Sequence, residues 1–321
     1  MVRFASFLAA GFAVAMLPLA GAQAAGYPER PVTIVVPAPP GGTTDTLTRL
    51  YASKFQERFG QPFVIENKPG ASLMIGTNAV AKAAPDGYTL LVTVGSHAQN
   101  LHLQKNMPYD TLTAFAPVAL VNITPMIVTV SAKSGIRNMD DFVALAKSGK
   151  ASYGSYGVGT TPHILGRLVE QEIGADMLHV PFKGEAPVMN DILAGNVTTS
   201  FISTITAMPH IQAGTAVPIA VAGKQRLPQL PDVPTLTEAG IESVAVDGWT
   251  GYFAPAGTPP EVLDKLSQAF IEVTNMPDIQ ERFISNGLVP APMGHKEFGS
   301  FMQGQYTQWG QMIKKAGVTL E

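Results

Sequence analysis

The residues best suited to chemistry in this sequence are small, neutral hydrogen-bonding groups at the ends of strand-like runs. Pro39-Pro40-Gly41-Gly42-Thr43-Thr44-Asp45 follows the β-branched run Thr33–Val36. The run reads as a buried strand; the prolines and glycines break it, and Thr43, Thr44 and Asp45 are helix-starting residues. Leu47, Leu50, Tyr51, Phe55 and Phe59 then recur at helical spacing until Gly60. A strand, a glycine turn and a helix N-terminus together aim unpaired backbone N–H groups and a positive dipole end at one spot, which is an anion site. The order repeats further along: a strand over Ala151–Tyr156, the turn Gly157-Val158-Gly159-Thr160, and a helix with Thr161 as its expected N-cap and Pro162 at its first position.

Neither loop is a nucleotide motif. Gly41–Thr46 lacks the Gly-Lys-Ser/Thr of a phosphate loop, and Gly154–Gly159 does not fit G-x-G-x-x-G. Three more strand ends carry similar residues: Gly95-Ser96-His97, Phe182-Lys183-Gly184 and Ser203-Thr204. The candidate ligand contacts are therefore Pro40, Gly41, Gly42, Thr43, Thr44, Ser96, His97, Ser155, Gly157, Gly159, Thr160, Thr161, Phe182, Lys183, Ser203 and Thr204. Such N–H and O–H donors suit a carboxylate held without a cation, each charge-assisted bond contributing about 1.5–3 kcal/mol. Lys183 is the one strand-end cation. Asp45 would repel an anion unless its side chain caps its own helix and pairs with Arg49, one helical turn on.

Catalytic and metal-binding sets do not assemble. There is no G-x-S-x-G and no H-E-x-x-H, and Ser96 beside His97 is not a nucleophile–base pair through adjacency alone. The six histidines read as satisfied polar residues. With no cysteine, disulfides and thiolate metal sites are excluded, and neither a metal nor a cofactor is expected.

Residues 1–24 read as a secretory leader. Arg3 precedes the apolar run Phe4–Ala20, and Ala22-Gln23-Ala24 fits a signal-peptidase site. The expected location is the periplasm. The formal net charge is −3 and becomes one unit more negative once Arg3 leaves. That balance excludes a basic stripe for nucleic acid, and no later apolar run reaches membrane-spanning length.

Strand-like and helix-like segments alternate along the rest, which implies an α/β fold with mixed, mainly parallel sheets and helices on both faces. In such sheets ligands sit at the carboxyl ends of the strands. The strand-end loops fall into two groups, separated by the extended, proline-kinked stretch Pro117–Val130. That stretch reads as a crossing between lobes, and Ala245–Phe253 as the return. The expected organisation is residues 25–124 with 246–321 as one lobe and 125–245 as the other, the ligand cleft lying between them.

Several motifs together are highly specific. They are Pro39-Pro40-Gly41-Gly42-x-x-Asp45, Glu66-Asn67-Lys68-Pro69-Gly70-Ala71, Ala84-Pro85-Asp86-Gly87-Tyr88-Thr89-Leu90, His179-Val180-Pro181-Phe182-Lys183-Gly184 and Leu230-Pro231-Asp232-Val233-Pro234-Thr235. With them, Tyr27–Glu321 resembles the Bug-type periplasmic solute receptors of tripartite tricarboxylate transporters. The resemblance implies a two-lobed Venus-flytrap fold of the type II periplasmic-binding class. It implies that the loops Pro39–Thr43 and Gly157–Thr160 grip one carboxylate, partly through ordered water. It also implies a di-, tri- or aromatic carboxylate ligand, membrane permease subunits as partners, and a monomeric chain that is not an enzyme. A sensor for a signalling partner and a hydrolase or isomerase on the same fold are the alternatives.

The chain departs from that pattern in three places. Thr43 stands where a third glycine is common. Leu73 and Met74 stand where glycines are usual, which favours a partly apolar ligand if they line the cleft. Ser203 and Thr204 stand where many members carry an Asp, which lowers the expectation of an amino-acid ligand.

Overall fold

The computed structural model describes residues 26–320; the leader at 1–24 lies outside the described residues. The chain first runs β1 (Val32–Val36), α1 (Thr43–Phe59), β2 (Phe63–Asn67), α2 (Met74–Ala81), β3 (Thr89–Val94), α3 (Ser96–Leu103) and β4 (Phe115–Thr124). Only Pro125 separates β4 from β5 (Met126–Ser131). There follow α4 (Met139–Lys147), β6 (Ser152–Ser155), α5 (Thr161–Ile173), β7 (Leu178–Pro181), α6 (Glu185–Ala194), β8 (Thr199–Ser203), α7 (Thr204–Gln212) and β9 (Ala216–Val221). The last section is β10 (Gly248–Pro255), α8 (Pro260–Thr274), α9 (Pro277–Ser285), β11 (Val289–Gly294) and α10 (His295–Ala316).

Two sheets result, ordered β11-β4-β10-β3-β1-β2 and β7-β6-β8-β5-β9. Each is mixed. β1, β2, β3 and β4 share one direction, and β10 runs against its neighbours β3 and β4. β6, β7, β8 and β9 share one direction, and β5 runs against its neighbours β8 and β9. Parallel pairing is confined to β1, β2 and β3 in the first sheet and to β6, β7 and β8 in the second; the pairs made by β10, β11 and β5 are antiparallel, which corrects the expectation of mainly parallel sheets. In each, the central antiparallel strand is the one that enters from the other sheet: β5 continues straight out of β4 through Pro125, and β10 returns. A strand arriving directly, without a crossover helix, has no reason to match the direction set by βαβ units.

The two faces of β10 show the strand period at work. Trp249 and Phe253 pack in the core that includes Phe298 of α10, while Tyr252 and Ala254 pack in the core with Tyr51 and Phe270. On α1, Leu47, Tyr51 and Phe55 form the buried stripe, and the Tyr51 ring lies 5.3 Å from that of Phe270 on α8. Gly60 ends α1 in the left-handed region at φ 68°, its N–H returning to the Gln56 carbonyl.

Two elements differ from the sequence expectation. β11 reads VPAPMG, and its two prolines hide a strand; it survives because it lies at a sheet edge, pairing only with β4. The helix expected from Thr77 begins earlier, at Met74, after three consecutive non-glycine residues in the left-handed region: Ala71, Ser72 and Leu73 at φ 47°, 51° and 74°. Gly76 of α2 packs against Pro37, too closely for a Cβ. Asn100 of α3 holds the turn from beneath by donating to the Ser72 carbonyl at 2.7 Å.

Candidate functional site

Because β1 and β3 run parallel, the loops after them open at one edge of the first sheet. The loops after β6, β7 and β8 likewise share one edge of the second sheet. The two edges face each other. A hydrogen bond of 2.6 Å from Gln99 of α3 to the Thr161 hydroxyl of α5 joins them directly. Between them lies a cavity of about 170 Å³. From the first lobe Val94, Gly95, Ser96 and Gln99 line it; from the second, Tyr156, Thr161, Glu185 and Ser203 do. The connecting strands supply its floor: Thr124, Met126, Asp247, Gly248 and Trp249, with Trp309 of α10 completing the wall.

Three of the residues expected at the site thus line this cavity: Ser96, Thr161 and Ser203. Pro40, Gly41, Gly42 and Thr43 form an exposed turn, with Thr44 half-buried, and they do not reach the cavity wall. Their local geometry is that of an anion site all the same. Gly42 caps α1 with ordinary extended backbone, so the Thr43 and Thr44 N–H groups open the helix without intrahelical acceptors. Asp45 does not spoil it. Its buried carboxylate accepts from the Gly41 N–H at 2.9 Å, from Arg49 Nε and Nη2 at 2.9 and 3.0 Å, and from Asn67 at 2.9 Å. The Arg49 hydrogen bonds, then those from Gly41 and Asn67, hold its pKa at about 2 against the opposing effect of burial. The charge is spent inside the loop.

The second glycine loop is built differently from the expectation. Thr160, not Thr161, is the N-cap of α5, and its hydroxyl donates to the Gly157 carbonyl at 2.7 Å instead of capping the helix. Its proton is therefore committed to the turn. Gly157 and Gly159 sit at φ 131° and 80°, where a side chain would strain the backbone. The Gly159 N–H donates to Nδ1 of His163 at 3.0 Å, and the His163 ring stacks on His179 at 4.0 Å. Burial, then the neighbouring His179 and Arg167, lowers the His163 pKa to about 4 and keeps that acceptor available.

Other expectations need correction. His97 lies outside the cavity wall: its ring is 2 % exposed and packs against Phe115 and Phe253, with no hydrogen-bond partner on either nitrogen among the described residues. It is neither a ligand contact nor a satisfied polar histidine. Ser155 is fully buried and bonded to His179 Nε2 at 2.7 Å, so it braces the second loop from below. Thr204 is buried and donates to the Gly287 carbonyl, tying the second lobe to the first. Phe182 is half-buried against the smaller core of the second lobe, and Lys183 is exposed outside the cavity wall. Leu73 and Met74 also lie outside that wall.

What sequence reasoning missed is acidic and aromatic. Glu185, the first residue of α6, accepts from the Tyr156 hydroxyl at 2.7 Å, the Ser203 N–H at 2.5 Å and the Ser203 and Thr206 hydroxyls at 3.0 Å each. An acid thus stands against Ser203 after all, supplied by a different strand end. Tyr156 stays protonated, its pKa pushed well above the usual range by burial and by the Glu185 charge. Asp247 has its pKa raised to about 6 by burial, against the lowering effect of the Lys224 backbone N–H and charge. Trp249 Nε1 donates to Gln305 at 3.2 Å, and the Trp309 indole N–H is buried without an acceptor.

Two α/β lobes joined by direct strand crossings, with a cleft lined from both, define a two-lobed binding protein of the periplasmic-binding class. The chain belongs to the tripartite tricarboxylate transporter family of receptors, whose profile matches residues 47–318. The protein BugT of Bordetella pertussis is 31% identical over 299 residues, spanning 92% of each chain. A Rhodopseudomonas palustris structure with adipate superposes with a TM-score of 0.82 at 31% identity, covering 92% of this chain and 100% of that one. Rhodopseudomonas palustris MatC, with bound malate, gives 0.76 at 30% identity, covering 89% and 100%.

Proposed function

We propose that the chain is a periplasmic receptor that takes up one small organic carboxylate between its lobes and delivers it to a membrane permease. The observation that carries this reading is the cleft wall. Ser96, Gln99 and Thr161 bring neutral donors from both lobes to one cavity, beside the buried Trp309 N–H that has no acceptor. A carboxylate supplies acceptors for the Trp309 N–H and for the hydroxyl protons of Ser96 and Thr161, while one Gln99 amide hydrogen already serves Thr161. Adipate and malate, carried by two relatives, support the same class of ligand here. The exposed turn Pro40–Thr44 and the loop Gly157–Thr160 are proposed to close onto the ligand as the lobes rotate about the crossings at Pro125 and Asp247. Residues 25–124 with 246–321 and residues 125–245 are proposed as the moving bodies, in a monomer.

A thermal-shift screen of the leader-free chain against organic acids tests this reading. An acid that binds only the folded form raises the melting temperature with concentration. A panel of aliphatic, hydroxy and aromatic acids that leaves the melting temperature unmoved at about millimolar concentration would sink it.

A further inference from the structure

The charges around the cavity are all of one sign. Glu185 and Asp247 both line it, and among the described residues no Lys, Arg or His does. Glu185 has both oxygens engaged by Tyr156, Ser203 and Thr206, so it contributes a field more than a free acceptor. Asp247 is less occupied: its protein donor is the Lys224 backbone N–H, and the exposed Lys224 ammonium is the cation that acts on it among the described residues. Asp247 immediately precedes β10, and Trp249 is the second residue of that strand. Both line the cavity. A half-buried acid in a cavity wall that also carries aromatic residues suits a cationic nitrogen. A second carboxylate at that place would meet two acids and no counter-charge.

We propose that the ligand is a zwitterion, a small carboxylate that also carries a protonated amine, and that Asp247 receives the ammonium. The inference rests on the carboxylate reading above and narrows it. It reverses the expectation drawn from Ser203 and Thr204, because the acid missing at the end of β8 is replaced by Glu185 and Asp247. It also separates this chain from its adipate- and malate-bearing relatives in what the far end of the ligand must be.

Calorimetric titration of the leader-free chain, at a pH well above 6 so that Asp247 is charged, tests it with probes matched in length. The pairs are glutarate with 4-aminobutyrate and adipate with 6-aminohexanoate; butylamine lacks the carboxylate. The expected result is that each amino acid binds at least about tenfold tighter than its diacid partner. Asp247→Asn is expected to bring that ratio to about one or below. Diacids that bind as tightly as their amino partners, or amino acids that fail to bind at about millimolar concentration, would overturn the zwitterion while leaving a carboxylate receptor standing. Butylamine binding as tightly as 4-aminobutyrate would instead overturn the carboxylate reading itself. The ratios in the unsubstituted chain decide the matter even if Asp247→Asn folds poorly.

Discussion

Replacing His97 with Phe should remove a large part of the protein's sensitivity to acid. The ring is 2 % exposed among Phe115, Phe253 and Tyr306 and has no hydrogen-bond partner. Burial lowers its pKa to about 4. An unfolded histidine titrates near 6.5, so between those values the unfolded chain holds the extra proton. The stability this neutral ring contributes is present above about 6.5 and is lost as pH falls through 4. At pH 5 the loss amounts to about 2 kcal/mol, rising to about 3 kcal/mol below pH 4. His163 acts in the same sense with a smaller effect because it is half-exposed, and Asp247, raised to about 6, acts in the opposite sense. Comparing the variant with the parent cancels both. The value at neutral pH decides less, since relief of two unpaired nitrogens and the crowding of a larger ring each amount to about 1–3 kcal/mol and oppose one another. Urea unfolding followed by circular dichroism at pH 7 and pH 5 gives the comparison. The parent should lose about 2 kcal/mol more than His97→Phe. Equal losses would show that the ring is hydrated or paired and would refute its placement in the core.

Three further outcomes follow from the cleft. Gly42→Leu should fold normally, since Gly42 has φ −75° and open space at its Cβ, with the Pro39 carbonyl at 3.8 Å; its melting temperature should hold while affinity for the best acid falls, and unchanged affinity would remove the first loop from the site. Thr161→Val should cost about ten- to hundredfold in affinity because Thr161 lines the cavity and its hydroxyl accepts from Gln99, which leaves its proton for a ligand, whereas Thr160→Val, whose proton serves Gly157, should cost less than about tenfold; titration giving the reverse order would contradict the assignment. Both tryptophans line the cavity, so Trp249→Phe and Trp309→Phe should each keep a ligand-dependent fluorescence change; a response abolished by either single substitution would place the ligand against one ring alone.

The fold was legible where local pattern and global packing agree. Thr33–Val36, the proline–glycine break and the stripe Leu47–Tyr51–Phe55 each point to strand, turn and helix, and the crossing kinked at Pro125 marked the passage between sheets. The Asp45–Arg49 pair was legible because both partners lie on one helix turn. β11 was not, since Pro290 and Pro292 remove the donors that make a strand recognisable and only its edge position excuses them. The cavity wall was legible only in its donors. Glu185, Asp247 and Trp309 come from a helix start, a crossing and the last helix, and no spacing in the chain announces that they meet. His97 shows the converse: a residue type that suggests chemistry is packed among aromatic rings because α3 turns its face inward.

A crystal structure of the chain grown with its best-binding acid bears most directly on the central claim. The predicted result is an intact ligand between the lobes, its carboxylate within hydrogen-bond distance of donors from both, Ser96 or Gln99 on one side and Thr161 on the other. A ligand bound to one lobe only, one lying outside the cavity that Trp249 and Trp309 line, or a compound recovered chemically altered would contradict it.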